Sequence, residues 1–401
     1  MQPTAPGPTL GVVGGGQLGR MLGEAAAPLG VEVVVSDPTP DPPAAPVVRE
    51  ALHGDFDDPD AVAALADRAD VLTYEIELAD PDLLERVSEE YDTPVHPAPD
   101  TLRTIQDKLV QKRRLEEAGV PVPPFRAVES VGDLRDALGD LGYPAMLKAR
   151  RGGYDGRGNV PVESPDDVET AFEAIDGDAM VEAFVPFDRE LSVIGVRGAD
   201  DRRTFTPGEN VHEEEILRET IVPARVSEDV RERAKAVARD VLDLMDGRGV
   251  FGIELFEASE ARSASDSSSG WNPREDGEIS VNEIAPRPHN SGHWTIEGAL
   301  SSQFEQHVRA VLGWPLGATD RRGRTVMTNL LVDVDEPRPA ELTGVDRVLA
   351  ERGANLHWYG KHEARPLRKM GHVTLTGDED GDTDDLLARA RELRDGCTFD
   401  S

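Results

Sequence analysis

The stretch LGVVGGGQLG, residues 10–19, constrains the fold more than any other short segment of the chain. An apolar run enters three consecutive glycines and then QLGRMLGEAAAPLG, a pattern that predicts a helix closed by Gly30. A second apolar run, VEVVVSD, follows. Strand, helix, strand in this order implies a crossover connection and parallel pairing. VLTYEIE reads as a further strand, and PDLLERVSEEYD as a helix with Asp80 as N-cap and Pro81 in the first helical position. Gly14, Gly16 and Gly19 stand at the G-x-G-x-x-G spacing of a dinucleotide-binding turn, and Asp37 falls near the place of a ribose-binding acid. On these residues alone an NAD-dependent oxidoreductase is one reading. It requires a hydride-transfer site downstream.

After residue 100 the texture changes. DTLRTIQDKLVQKRRLEEAGV predicts one helix ending at Gly119, stopped by PVPPF. YPAMLKAR reads as a strand, RRGGYDGRGN as a glycine-rich loop, and SPDDVETAFEAI as a helix opened by Ser164 and Pro165. AMVEAFV and RELSVIGVRG are strands, and SEDVRERAKAVARDVLDLM is a long amphipathic helix. GVFGIELFE and EISVNEI predict a hairpin interrupted by a Ser-rich stretch, residues 258–278, expected to face solvent. From about residue 324 a smaller unit carries the strands MTNLLVDV and GHVTLTG.

Several residues carry chemistry. Lys148 ends a strand just before the glycine-rich loop, and backbone N–H groups with one point charge suit a triphosphate. Lys108 is a second such lysine; the alternative for both is a solvated surface position. Glu254 and Glu283 lie in apolar strands, where a carboxylate is costly unless paired or metal-bound. The hairpin would let them share one Mg²⁺, with Asn282 adding an oxygen; the alternative is that they face outward. NEIAPRPHNSGHWT, residues 282–295, is a loop dense in Arg, His and Asn. His289 and His293 are four apart, but prolines and a glycine break any helix that would present them to zinc. Lys361, Arg365, Arg368 and Lys369 form a compact basic cluster suited to an anion such as phosphate, or else a salt-bridged surface loop.

That cluster stands out because the chain carries 78 acidic and 43 basic residues, a formal charge of −35. Such charge disfavours nucleic acid and anionic membrane surfaces as partners. It is spread along the chain, which reads as adaptation to a salt-rich cytoplasm. The single cysteine, Cys397, lies in the terminal tail and excludes a disulfide framework or a cysteine zinc site. No apolar run approaches the ~20 residues of a membrane span, and MQPTAPGPT is too polar for a signal peptide. A soluble cytoplasmic protein is expected.

DKLVQKRRLEEAGVPVPPF, LKARRGGYDGRGN, MVEAFV, GIELF and VNEIAPRPHNSGHWT, in that order, resemble the ATP-grasp ligases. With GGGQLGRML and RKMGH they are most similar to those members that carboxylate aminoimidazole ribonucleotide in purine biosynthesis. The resemblance runs from about residue 10 to residue 377. It implies an α/β, ATP-grasp fold: a Rossmann-like parallel-sheet domain over 1–105, an ATP-grasp domain over 106–323 with a lid at about 125–187, and a small β-rich domain over 324–401. It implies that ATP lies between two sheets, with Lys108 and Lys148 at its phosphates. Gly153, Tyr154, Asp155, Gly156, Arg157, Gly158 and Asn159 would form a flap over them. Glu182, Ala183, Phe184 and Val185 would be the hinge at the adenine, Glu190 would bind the ribose, and His212 would line the same pocket. Glu254, Glu283 and Asn282 would hold Mg²⁺, with Mn²⁺ as a substitute.

Tyr154, Asp155, Arg287, His289, Asn290 and Lys361 match positions for the ribonucleotide or bicarbonate, with Arg368 and Lys369 at the ribonucleotide's phosphate. Lys148, Asp155, Arg287 and His289 would be catalytic, Asp155 as proton acceptor. Gly15, Gly16 and Gln17 are expected to face the ribonucleotide across the cleft. A homodimer, and handover of product to a mutase, are further implications. A formate-using transformylase or a biotin-carboxylase-like ligase would share the nucleotide residues but differ in the YDGRGN and PHNSGHW loops. A non-catalytic nucleotide sensor would show a damaged metal or phosphate site, and none is visible. Three features depart from the pattern: Leu367 stands where glycine is usual, TYEIEL replaces TYEFEN, and the stretch 258–278 is inserted.

Overall fold

The structure, a computed structural model, describes residues 1–152, 158–175, 177–258 and 279–399. Strands β1 (Thr9–Val13), β2 (Glu32–Asp37), β3 (Glu50–His53) and β4 (Val71–Tyr74) form a parallel sheet in the order β3-β2-β1-β4. The valine runs of β1 and β2 are buried because helices cover both faces of such a sheet. Helix α1 (Gln17–Ala26) is shorter than its sequence pattern predicts: a 3₁₀ turn, Ala27–Leu29, precedes Gly30. Strand β3 and helix α2 (Pro59–Ala66) carry too little periodicity to be read from sequence. Helix α3 (Pro81–Tyr91) starts as expected, with the Asp80 carboxylate accepting from the backbone N–H groups of Asp82 and Leu83.

The single helix expected over 100–119 is two: α4 (Pro99–Gln106) and α5 (Lys108–Glu117). Asp107 breaks it. Its carboxylate accepts from the backbone of Leu109 and Val110 and takes the Arg150 guanidinium through both oxygens, at 3.0 and 2.5 Å. An aspartate offered two N–H groups and an arginine is more stable as an N-cap than inside a helix.

A second sheet, all antiparallel, has the order β5-β8-β6-β7: β5 (Phe125–Val128), β6 (Ala145–Ala149), β7 (Asn159–Val162) and β8 (Ala179–Ala183). Helices α6 (Val131–Leu141) and α7 (Val168–Glu173) pack on it. Ser164 caps the start of this segment as the sequence predicts, but what it opens is a 3₁₀ turn, Pro165–Asp167, closed by a capping box with Asp167, and α7 begins after it at Val168.

The largest sheet begins with β9 (Arg189–Arg197), β10 (Arg202–Thr204), β11 (Gly208–Glu213), β12 (Ile216–Val222), β13 (Gly249–Glu257) and β14 (Ile279–Ala285). Helix α8 (Glu228–Leu244) presses Val230, Ala234, Val237 and Val241 onto it. Burying each such valine is worth roughly 1.5–3 kcal/mol, more than any propensity term. The sheet does not stop at residue 324. It continues through β15 (Arg324–Leu331), which pairs with β12, and on through β19 (Lys369–Gly377) and β17 (Ala354–Trp358). A two-strand ladder of β16 (Arg338–Pro339) and β18 (Glu363–Ala364) lies apart. The last helix, Thr383–Asp395, is held by Arg391 and Arg394 on the buried Glu219 of β12. Cys397 is buried beside it rather than lying in a loose tail, since Thr398 pairs with Thr343.

Helix Gln303–Val311 joins the first sheet to the third. Phe304, Val308 and Val311 pack with Leu18, Met21 and Leu22 of α1. On its other side His307 accepts from the Val250 backbone N–H through Nδ1 at 3.1 Å, so its Nε2 carries the hydrogen donated to Thr73 Oγ1 at 2.8 Å. Burial holds this imidazole neutral, down to about 3. Among the described residues no helix is long and apolar enough to cross a membrane.

Leu367, between β18 and β19, adopts φ +60°. That is the left-handed region in which glycine is expected and a leucine is strained by roughly 1–2 kcal/mol. Leu367→Gly should raise stability by up to about 1 kcal/mol after glycine's own flexibility is counted. Thermal unfolding of the variant checks this: a higher midpoint is expected, and a lower one contradicts the strain.

Candidate active site

The floor of the cleft is laid by α5. Because Asp107 starts the helix where it does, Lys108 and Lys112, four residues apart, share one helical face. Lys112 is almost wholly buried, its side chain 2% exposed. It donates to Glu182 Oε1 at 2.5 Å and to the Val281 carbonyl at 2.8 Å. Glu182, on β8, is equally buried, and its other oxygen pairs with Lys148 of β6 at 2.6 Å. Lys148 also donates to Asn282 Oδ1 at 3.4 Å, and Lys108 donates to Glu283 Oε1 at 3.2 Å. Three lysines and two glutamates from α5, β6, β8 and β14 thus form one network. Burial alone would raise the Glu182 carboxyl, but Lys112 and Lys148 hold it below its usual range. Burial pulls Lys112 down to about 8, against the attraction of Glu182. Burial opposes the Lys108 charge as well, and Glu283 more than restores it. The only sequence signal for Lys112 is its place one helical turn from Lys108.

Glu254 and Glu283 face each other directly across the β13–β14 ladder. The next pair is Leu255 with Val281, so Asn282 is an extra residue in β14. Such a bulge re-aims a side chain that alternation would send to the opposite face, which accounts for Asn282 and Glu283 both meeting cleft lysines. Burial, with Glu283 and Glu190 adding repulsion, pushes Glu254 up to about 7 against the pull of His212. Among the described residues no three His, Cys, Asp or Glu side chains converge as a metal cage. Two carboxylates and an amide oxygen are a set of hard oxygen donors of the kind Mg²⁺ takes, with waters and phosphates completing its shell.

Along the same sheet His212 of β11 pairs with Glu190 of β9. Burial works against the imidazolium, but Glu190 raises it above its ordinary value. At the end of β8, Ala183 donates its N–H to Pro124 at 2.8 Å, Phe184 is exposed and Val185 is buried. Gly158 and Asn159 return the chain from the glycine-rich loop into β7. Gly153, Tyr154, Asp155, Gly156 and Arg157 lie outside the described residues, as does the Ser-rich stretch from residue 259 onward.

The opposite wall differs from expectation at the N-terminal turn. The backbone N–H groups of Gly16 and Gly19 both donate to the Glu75 carboxylate, and that of Gly15 donates to Asp37 at 2.8 Å. A Cβ on Gly14 or Gly16 would collide with the Glu75 side chain, and Gly14 sits at φ +105°. The helix N-terminus that suggested an anion-binding turn therefore already holds an anion from the chain itself. Gly15 and Gly16 do not present these N–H groups to the cleft, and neither does Asp37 serve a dinucleotide. Burial, partly offset by those two hydrogen bonds, raises Glu75 to about 7. Gln17 does reach the basic cluster: its Oε1 accepts from Lys361 at 2.8 Å.

Arg287 pairs with Glu77 at 2.9 Å, and His289 lies 3.9 Å from Glu254, its Nδ1 against Ser291. Lys369 is near enough to Glu254 to lower it. Arg368 donates to the Glu363 carbonyl at 2.8 Å, and Arg365 pairs with Glu363. Asn290 turns away into the interior, where it and Asn329 exchange amide hydrogen bonds at 3.0 and 2.8 Å. His293 is fully buried against Gln303.

Comparison with known proteins fits this geometry. Residues 8–106 match the ribonucleotide synthetase preATP-grasp domain, residues 113–304 the ATP-grasp domain, and residues 325–385 the phosphoribosylaminoimidazole carboxylase C-terminal domain. An N5-carboxyaminoimidazole ribonucleotide synthase of Brucella melitensis is 43% identical over 92% of this chain and 96% of its own. The chain belongs to the N5-carboxyaminoimidazole ribonucleotide synthase family. Solved structures of the family agree in fold. The Thermus thermophilus synthetase is 39% identical, with a TM-score of 0.83 over 96% of this chain and 98% of that one. The Aspergillus clavatus synthase, in complex with ADP and 5-aminoimidazole ribonucleotide, is 35% identical, with a TM-score of 0.85 over 97% and 99%. The NAD reading is thereby set aside.

Glu75 and Glu254 both release their protons near pH 7 in the folded chain, against 4.5 ordinarily. Between those values the folded state keeps protons that the unfolded state has lost, so the contribution of these two groups to ligand-free stability falls as pH rises through this window, against the opposite contribution of the buried neutral histidines His96, His293, His307 and His372 below about pH 6.5. The double variant Glu75→Gln/Glu254→Gln should lose this contribution, on the order of 3 kcal/mol per residue, so that its stability rises more steeply or falls less steeply with pH than the parent's. Denaturant unfolding at fixed salt from about pH 5 to about pH 8 checks it. An unchanged slope in the variant contradicts the assignment.

Proposed function

We propose that the chain carboxylates the exocyclic amine of 5-aminoimidazole ribonucleotide with bicarbonate at the expense of ATP, giving ADP, phosphate and the N5-carboxyamino ribonucleotide of purine biosynthesis. The observation that carries this reading is the lysine–carboxylate network at the junction of two sheets, in a chain whose family does this chemistry. ATP lies between those sheets, its phosphates near Lys108 and Lys148, its ribose near Glu190 and His212, and its adenine at the strand end Glu182–Val185. Glu254, Glu283 and Asn282 hold Mg²⁺, which neutralises phosphate charge when bound.

Bicarbonate lacks a leaving group. One of its oxygens attacks the γ-phosphorus, the bond to the β-phosphate oxygen breaks, and ADP departs. Carboxyphosphate remains. The amine nitrogen then attacks its carbonyl carbon, or CO₂ released from it; phosphate leaves and the nitrogen loses a proton. Phosphoryl transfer needs positioning and charge neutralisation more than covalent help, and Lys148 and Arg287 supply cations for both. Arg287 is held by Glu77, and His289 lies 3.9 Å from Glu254 on the neighbouring strand; bicarbonate would sit beside these two groups. Asp155, on the loop, accepts the proton. Closure of the lid over the bound nucleotide keeps water from the carboxyphosphate. Lys361, Arg368 and Lys369 receive the ribonucleotide's phosphate. The product, an N-carboxyamine, is labile, which favours its rapid handover to a mutase.

ADP formation in high salt with Mg-ATP and bicarbonate should depend on the ribonucleotide; ADP release indifferent to it overturns the reading. Lys148→Ala should lower kcat by about a hundredfold or more, as loss of a charge-stabilising donor does, and Glu283→Gln by about tenfold or more. Near-normal turnover in either variant removes that residue from the site.

A further inference from the structure

We propose that Lys112 is a positioning residue for this reaction: it keeps Glu182 paired while Lys148 transfers from Glu182 to the phosphates of ATP. The proposal rests on ATP occupying the cleft between the two sheets.

Lys148 is committed elsewhere in the ligand-free chain. Its ammonium lies 2.6 Å from Glu182, a carboxylate whose side chain is only 3% exposed. To meet a phosphate, Lys148 must loosen that contact. Taking one partner from a buried ion pair leaves a charge with neither water nor a counterion, which is among the costliest changes a structure can undergo. Glu182 avoids this because its second oxygen is on Lys112 at 2.5 Å.

Lys112 is built not to follow Lys148. It is closed off from solvent, and it is tied down by a second hydrogen bond to the Val281 carbonyl at 2.8 Å. Its three attachments lie on α5, on β8 and on β14, so it ties the helix to a strand of each sheet. Lys148 is less enclosed, at 12% side-chain exposure. Its other neighbour, Asn282 Oδ1 at 3.4 Å, adjoins Glu283, on the side where the metal and phosphates are placed. The two lysines share one glutamate but not one role: one stays and the other travels. A lysine that only filled a hole would not need a buried carboxylate held by a second, more exposed lysine.

The test separates ATP from the other substrate. Lys112→Met, checked for native circular dichroism, should bind Mg-ATP about tenfold or more weakly by calorimetry without ribonucleotide, and its KM for ATP should rise in parallel. Its KM for the ribonucleotide should stay within about twofold of the parent. Lys112→Gln, which keeps an N–H donor without the charge, should show the same split, and it decides the matter if Lys112→Met does not fold. Unchanged ATP affinity in a folded variant overturns the proposal, as does an equal rise in both KM values, the mark of general loosening. Absence of ribonucleotide-dependent ADP release in the parent chain would overturn the proposed function but leave the calorimetric comparison intact.

Discussion

A carboxylate with almost no exposure to water stays ionised when cations or hydrogen-bond donors meet both of its oxygens, and a pair of cations does this most strongly. Glu182 is such a group, and much of the cleft follows from it. Its two lysines come from a helix and a neighbouring strand, and one of them also reaches a strand of the other sheet. The network therefore fixes where the four-stranded sheet stands relative to the large one. It also places Lys148 and Lys108 beside the facing pair Glu254 and Glu283. The attraction is strong because the site is dry, and the same dryness raises Glu254 and lowers Lys112. Charges held this way are ready to be redistributed when a polyanion and a divalent cation enter.

The opposite wall uses the same physics to a different end. The N-terminus of α1 offers N–H groups to an anion, and the chain fills that place with Glu75. The glycines needed for a dinucleotide are needed here to admit a glutamate side chain. Spacing alone cannot separate the two cases, because both ask for a tight turn, a close approach and a negative group. The group that decides is about sixty residues away in sequence.

That distance marks the limit of what was legible beforehand. The parallel sheet, the hairpin of β13 and β14, the caps at Asp80 and Ser164, and the pairing of Glu254 with Glu283 follow from local periodicity and turn chemistry. The break at Asp107 was not legible, because its cause is Arg150, and helical propensity runs unbroken through the position. Nor was Lys112: a lysine on a charged helix reads as solvated until the glutamate that meets it is brought up by another sheet. The interior position of the Asn290 amide is hidden in the same way, since its partner Asn329 arrives on a strand of the extended sheet. Elements come from neighbours in sequence; the network comes from neighbours in space.

We infer that one buried glutamate parks a lysine that ATP then recruits. The most direct measurement is a structure of the protein with Mg²⁺ and a non-hydrolysable ATP analogue. Lys148 Nζ is expected within hydrogen-bond distance of a phosphate oxygen and released from Glu182, with Lys112 still on Glu182 and the metal on Glu254 and Glu283. An analogue whose phosphates sit at the turn Gly14–Gly19, or a bound complex in which Lys148 has not left Glu182, would contradict it.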